Sequence, residues 1–122
     1  MPSPTDAVRR IRVLLVEDSK TCAYVLAGRL RAHPTYADVT VATTLQDARD
    51  ALAENVFDAV VLDLGVGRDD GAAILPLPCP VLIVTSQPNR APTGYPVVVK
   101  GSGWVPAIES FVGALRAQDG RI

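Results

Sequence analysis

Asp63 closes the apolar run Phe57–Leu62 and is followed at once by a glycine-rich segment that opens at Gly65. Other apolar runs end on polar groups in the same manner: Ile11–Val16 delivers Glu17 and Asp18, Pro80–Val84 delivers Thr85 and Ser86, and Pro96–Val99 delivers Lys100. If these runs are parallel strands of an open α/β sheet, their last side chains meet at one carboxyl edge, where such sheets place their ligands. Carboxylates gathered from two strand ends repel one another unless a cation lies between them. Oxygen ligands in an open, hydrated geometry favour Mg²⁺. Thr85 and Lys100 add a hydroxyl donor and a point charge, which suits a phosphoryl group held against the metal. The chemistry these residue types support is transfer of a phosphoryl group onto a carboxylate, with Asp63 as nucleophile.

The elements that must position these groups alternate between strand and helix periods. After the first run, Asp18-Ser19 can cap a helix whose apolar positions Cys22, Val25, Leu26 and Leu30 recur at helical spacing until Pro34 ends it. Val39–Ala42 is a short β-rich run, and Thr44 with Asp47 forms a capping box before a helix carrying Leu45, Ala48 and Leu52. The run ending at Asp63 is almost unbroken in its apolar character and suits the centre of a sheet covered on both faces. Beyond it, Gly71 to Pro76 leaves room for a turn or two of a third helix, since Pro76, Pro78 and Pro80 forbid continuation. Residues 87–96, with Pro88, Pro92 and Pro96, read as a loop where a fourth helix would stand. Pro106 suits the first turn of a last helix with an apolar stripe of Ile108, Phe111, Val112 and Leu115, ending at Asp119-Gly120. This βα repeat predicts an α/β fold of flavodoxin-like type, a doubly wound five-stranded parallel sheet with right-handed crossovers.

A chain of 122 residues fits one domain, 1–122 with a core over about 10–117, burying roughly two-thirds of its unfolded surface. A net charge of -1 with both signs scattered gives no basic footprint, so no nucleic-acid partner is expected. The N-terminus lacks the apolar core of a signal peptide and no apolar run approaches the ~18 residues of a membrane span, so a cytoplasmic protein without membrane contact is expected. Cys22 and Cys79 fall in neither metal-ligand nor redox spacing and read as reduced, structural thiols. His33, before Pro34, lies where a cation helps satisfy helix-terminal carbonyls and has nothing near it to make it a base or a ligand. Gly65–Gly71 lacks the G-x-G-x-x-G spacing of a dinucleotide loop and reads as a flexible loop. No Walker A lysine motif is present, and Asp63-Leu64-Gly65 lacks the second aspartate of haloacid-dehalogenase phosphatases. Trp104 reads as packing the entry to the last helix.

Taken in order, Val13–Ser19, Val60–Asp63, Asp70-Gly71, Val84–Ser86 and Val98–Lys100 resemble the receiver domains of bacterial two-component response regulators, over nearly the whole chain. That resemblance implies strand order 2-1-3-4-5, with Glu17 and Asp18 holding Mg²⁺ directly or through water and Asp63 and the Gly65 backbone carbonyl completing the protein ligands. It implies phosphoryl donation to Asp63 from a phosphohistidine on a sensor histidine kinase or histidine phosphotransfer protein. Thr85 and Lys100 then bind the phosphoryl oxygens and report their arrival. Such a chain is a signalling protein rather than an enzyme, although it catalyses its own aspartyl phosphorylation and dephosphorylation.

The sequence departs from the family pattern at several points. Gly101 follows the lysine where a proline is usual, and Val97 replaces the switch aromatic, for which Tyr95, on the same face by strand alternation, is a substitute. Residues 86–99 are too few for a loop, a full fourth helix and a strand, so helix four is replaced by a loop and helix three is shortened. The dimer face built from helix four, strand five and helix five is therefore remodelled, and a monomer or weak dimer is expected. Tyr24 and Leu26 on the first helix either meet a kinase helix bundle or are plain core. Met1 and the polar tail after Leu115 favour a stand-alone protein. Two other readings remain: a pseudo-receiver interaction module that does not switch by phosphorylation, and a phosphatase-like enzyme of the same topology.

Overall fold

Runs rich in valine, isoleucine and leucine form strands because branched side chains pack well on a pleated, buried surface. In the computed structural model, which describes residues 10–118, these are β1 (Arg12–Val16), β2 (Asp38–Ala42), β3 (Ala59–Asp63), β4 (Val81–Thr85) and β5 (Val97–Val99). All neighbours pair in parallel, in the order β2-β1-β3-β4-β5, the flavodoxin-like α/β sheet expected from the sequence. Three helices cover it: α1 (Lys20–Arg31), α2 (Leu45–Glu54) and α3 (Trp104–Gln118).

Alternation along the strands divides the core in two. Val13, Leu15, Val61, Leu82 and Val84 face α1 and α3, where Leu26, Leu30, Ile108 and Val112 close the layer. Leu14, Val16, Val60, Leu62, Val81 and Ile83 face α2, which contributes Leu45 and Ala48. β3 and β4 are buried along their whole length, as central strands covered on both faces must be. The register sets Val16 beside Leu62, Asp63 beside Val84 and Thr85 beside Val99. Residues 17, 63, 85 and 100 therefore all fall at one end of the sheet.

The second half of the chain covers its face with little helix. Gly71–Ile74 is a single 3-10 turn capped by Asp70, whose side chain accepts from Ala72 N at 2.9 Å, and Pro88–Arg90 is another short 3-10 turn. Leu75, Leu77, Cys79, Ala91 and Tyr95 pack against the core there in place of helical side chains. Tyr95 precedes β5 and is half-buried, whereas Val97 is exposed.

Some local expectations are corrected. The segment after Asp63 is an antiparallel hairpin rather than a flexible loop, pairing Gly65 with Asp70 and Val66 with Asp69. Gly67 turns it at a positive φ of 62°, and Val66 is buried beneath. On α1 the buried stripe is Ala23, Leu26, Ala27 and Leu30, so Val25, expected inside, is 50% exposed. That helix ends at Arg31, before Pro34. Backbone N–H groups of Thr35, Tyr36 and Ala37 satisfy the carbonyls of Ala32 and Leu30, leaving His33 to stand edge-on to Tyr36 at 5.5 Å rather than at the helix end.

Several expectations are met. Ser19 and Thr44 cap α1 and α2 through hydrogen bonds from Cys22 N and Asp47 N. Pro106 lies in the first turn of α3; its expected end at Asp119-Gly120 lies outside the described residues. Cys22 and Cys79 are free thiols. Among the described residues, no helix is long and apolar enough to cross a membrane.

Candidate functional site

Asp63 is the last residue of β3 and is buried, with both oxygens engaged. Oδ1 accepts from Gly65 N at 3.0 Å and Oδ2 accepts from Lys100 Nζ at 2.6 Å. Glu17, the residue after β1, is 2% exposed; its Oε1 accepts from Ser19 N at 3.1 Å and its Oε2 from Lys100 Nζ at 3.2 Å. Asp18, next along, is exposed and accepts from Gly67 N, at the hairpin tip, at 2.8 Å. One carboxylate oxygen from each of Glu17, Asp18 and Asp63 lies within 4.8 Å of the others, close enough to share one ion.

Lys100 serves as the internal cation of this cluster. Burial alone pulls its ammonium below the ordinary lysine value, but the hydrogen bond and charge of Asp63, with Glu17 behind it, outweigh that and raise it. Glu17 is shifted up, chiefly by burial and then by the charge of Asp63, against the Ser19 N–H and Lys100 that favour its ionised form. A further positive charge placed between Glu17 and Asp63 would favour the ionised form of both.

Thr85 ends β4 and is buried at the same edge. Its Oγ1 accepts from Gln87 N at 2.9 Å, which occupies a lone pair and leaves the hydroxyl proton for another acceptor. Its carbonyl accepts from Lys100 N at 2.9 Å, tying the starts of the two functional loops together. Asp18, Asp63, Gly65, Thr85 and Lys100 line one cleft of about 430 Å³, while buried Glu17 does not line it and is joined to it through its ion pair with Lys100.

Sequence reasoning missed part of this wall. Arg68, Asp69, Gln87 and Arg90 also line the cleft, and their only sequence signal is that they follow directly on strands ending in Asp63 and Thr85. Gly71 was expected only as part of an acid-glycine pair; the structure makes it a steric requirement. A Cβ there falls onto the Asp63 carbonyl oxygen and within 3.1 Å of Leu62 Cδ1. The backbone that aims Asp63 is thus pressed against residue 71. On α1, Leu26 is core, and Tyr24 alone of the expected pair faces solvent, at 83% exposure. Trp104 packs against the core layer under α3, as expected.

No family model matches the chain. Over 90 residues, 70% of this chain, the sequence is 37% identical to protein-glutamate methylesterase/protein-glutamine glutaminase 4 of Anaeromyxobacter dehalogenans (strain 2CP-C), of which the match spans 25%. Among solved structures, the Francisella response regulator 1452 receiver domain superposes with a TM-score of 0.72 at 19% identity, covering 90% of this chain and 99% of that one. The non-phosphorylated HemR receiver domain from Leptospira biflexa gives 0.71 at 22% identity, covering 88% and 95%. A CheY-like response regulator receiver domain from Methylobacillus flagellatus gives 0.67 at 18%, covering 87% and 98%. The chain has the response-regulator receiver fold.

Proposed function

From that fold and the groups gathered at its sheet edge, we propose that this chain accepts a phosphoryl group on Asp63 in a Mg²⁺-dependent manner. The donor is the phosphohistidine of a sensor histidine kinase or histidine phosphotransfer protein, and the chain then signals through protein contacts in the cytoplasm. One observation carries the proposal: Lys100 Nζ sits 2.6 Å from Asp63 and 3.2 Å from Glu17, inside a cluster that Asp18 completes.

The donor set is one of hard oxygens, which fits Mg²⁺. Glu17, Asp18, Asp63 and the Gly65 carbonyl would hold the ion, directly or through water. Bound there, it neutralises the acids and the charge that spreads over the phosphoryl oxygens. The chain supplies the rest. An Asp63 oxygen attacks phosphorus in line with the bond to the donor imidazole; the new O–P bond forms as the N–P bond breaks, and the nitrogen leaves with its electron pair. Gly65 N holds the other carboxylate oxygen during attack. Lys100 follows the negative charge from the carboxylate to a phosphoryl oxygen, and the Thr85 hydroxyl donates to another. Water attacking the acyl phosphate reverses the modification.

Incubation with Mg²⁺ and acetyl phosphate should add the mass of one phosphoryl group, and Asp63→Asn should remove that gain. A protein that gains no mass from acetyl phosphate or from a phosphorylated phosphotransfer domain is the pseudo-receiver instead, and sustained turnover of a phosphoester would make it the phosphatase. Stand-alone status belongs to the same proposal and is read from the intact mass of the native gene product.

A further inference from the structure

Lys100 must be aimed, and the backbone that follows it does not do this. Lys100 N is fixed to the Thr85 carbonyl, but Gly101, Ser102 and Gly103 follow, the two glycines at φ of 151° and 81° with open space where a Cβ would stand. A four-carbon lysine stem leaving such a segment has many rotamers available to it. Asp63 and Glu17 hold the ammonium from one side, and the ring of Trp104 stands beside it as well. Its centroid lies 5.8 Å from Lys100 Nζ, inside the range of a cation–π contact. The ring is itself held, partly buried against the core layer under α3.

We infer that Trp104 is a positioning residue for Lys100, its indole face holding the ammonium between Asp63 and Glu17 where a pinned backbone would otherwise do so. The ammonium then has two carboxylates on one side and an electron-rich face on another, and only 29% of its side chain is exposed. This inference rests on the phosphoryl-acceptor reading for its consequence, but not for its test.

The contact is read by NMR, without phosphorylation. The ε-methylene protons of Lys100 should be shifted upfield by the indole ring current in the wild type and lose that shift in Trp104→Leu, the fold being checked by circular dichroism. Equal positions in the two proteins overturn the inference. Should Trp104→Leu unfold, comparison of the wild-type resonance with that of the urea-unfolded chain decides the same question.

The consequence is read as the rate of mass gain with Mg²⁺ and acetyl phosphate. Trp104→Leu should be slower by about two- to fivefold, and Trp104→Phe, which keeps an aromatic face, should recover most of the rate. Equal slowing by both folded variants means that Trp104 serves only packing. A wild type that gains no mass sinks the phosphoryl-acceptor reading, while the NMR comparison still stands or falls by itself.

Discussion

Lys100 stands where two buried carboxylates meet, and its removal should show what a metal would replace. Glu17 and Asp63 side chains are 2% and 7% exposed, so Lys100→Ala leaves them facing one another without a counter-charge. Breaking a fully buried pair costs more, but Lys100 is partly solvated, so a loss of about 1–3 kcal/mol is expected in urea unfolding without divalent ions. Added Mg²⁺ should restore most of that loss; a deficit indifferent to Mg²⁺ would mean that Lys100 stabilises by packing its stem. Cys79 offers a second measurement on a single side chain. Burial first and the charge of Asp58 second push its thiol above the ordinary cysteine value. Less thiolate is then present at any pH below that raised value, so iodoacetamide should alkylate Cys79 more slowly in the folded than in the unfolded chain. The two rates should converge as pH rises past it, and equal rates near neutrality would contradict this.

Among the elements, the loop after β3 is the most constrained. Gly71→Ala sets a methyl group against the Asp63 carbonyl and Leu62, which must shift the end of β3, at a cost of about 1–3 kcal/mol. Because Asp63 rides on that backbone, phosphorylation should slow as well. Thr44→Ala is the contrast. It removes the cap of α2, which packs on the sheet but lines no part of the cleft, so about 1 kcal/mol should be lost with the phosphorylation rate unchanged. If both variants slow the reaction equally, the effect of Gly71 is global rather than local.

These elements also mark how far the sequence could be read. Strand ends were legible, since an apolar run stopping at Glu17, Asp63, Thr85 or Lys100 carries its own signal and parallel strands bring such ends together. The hairpin was not: strands of two residues, Gly65–Val66 and Asp69–Asp70, are too short to show a period. On α1 the spacing of Cys22, Val25, Leu26 and Leu30 predicts Val25 inside, but the buried stripe runs through Ala23 and Ala27, whose small side chains carry little hydrophobic signal. The role of Gly71 arises from a contact across eight positions of chain, and that of Trp104 from a ring meeting a side chain at the sheet edge. Neither follows from spacing alone.

For the molecule as a whole, the decisive feature is the edge that the shortened second half leaves on the sheet. β5 is three residues long, its outward valines 97 and 99 are 38% and 49% exposed, and the segment beside it carries a 3-10 turn, Pro88–Arg90, where a helix would stand. A stable dimer buries on the order of 1,200–2,000 Å². A three-residue edge flanked on one side by a 3-10 turn in place of a helix offers little of that, and a short edge strand is also a poor template for pairing with another chain. A phosphoryl group on Asp63 would draw Lys100 and Thr85 toward it and so change the surface around the cleft, where Arg68 and Arg90 stand, rather than build a subunit interface at β5. Sedimentation velocity across a concentration series should therefore show one monomeric species before and after phosphorylation. Binding to a phosphotransfer partner, by contrast, should change with the modification. A phosphorylation-dependent dimer would move the output surface back to β5 and α3 and refute the expectation that this edge is silent.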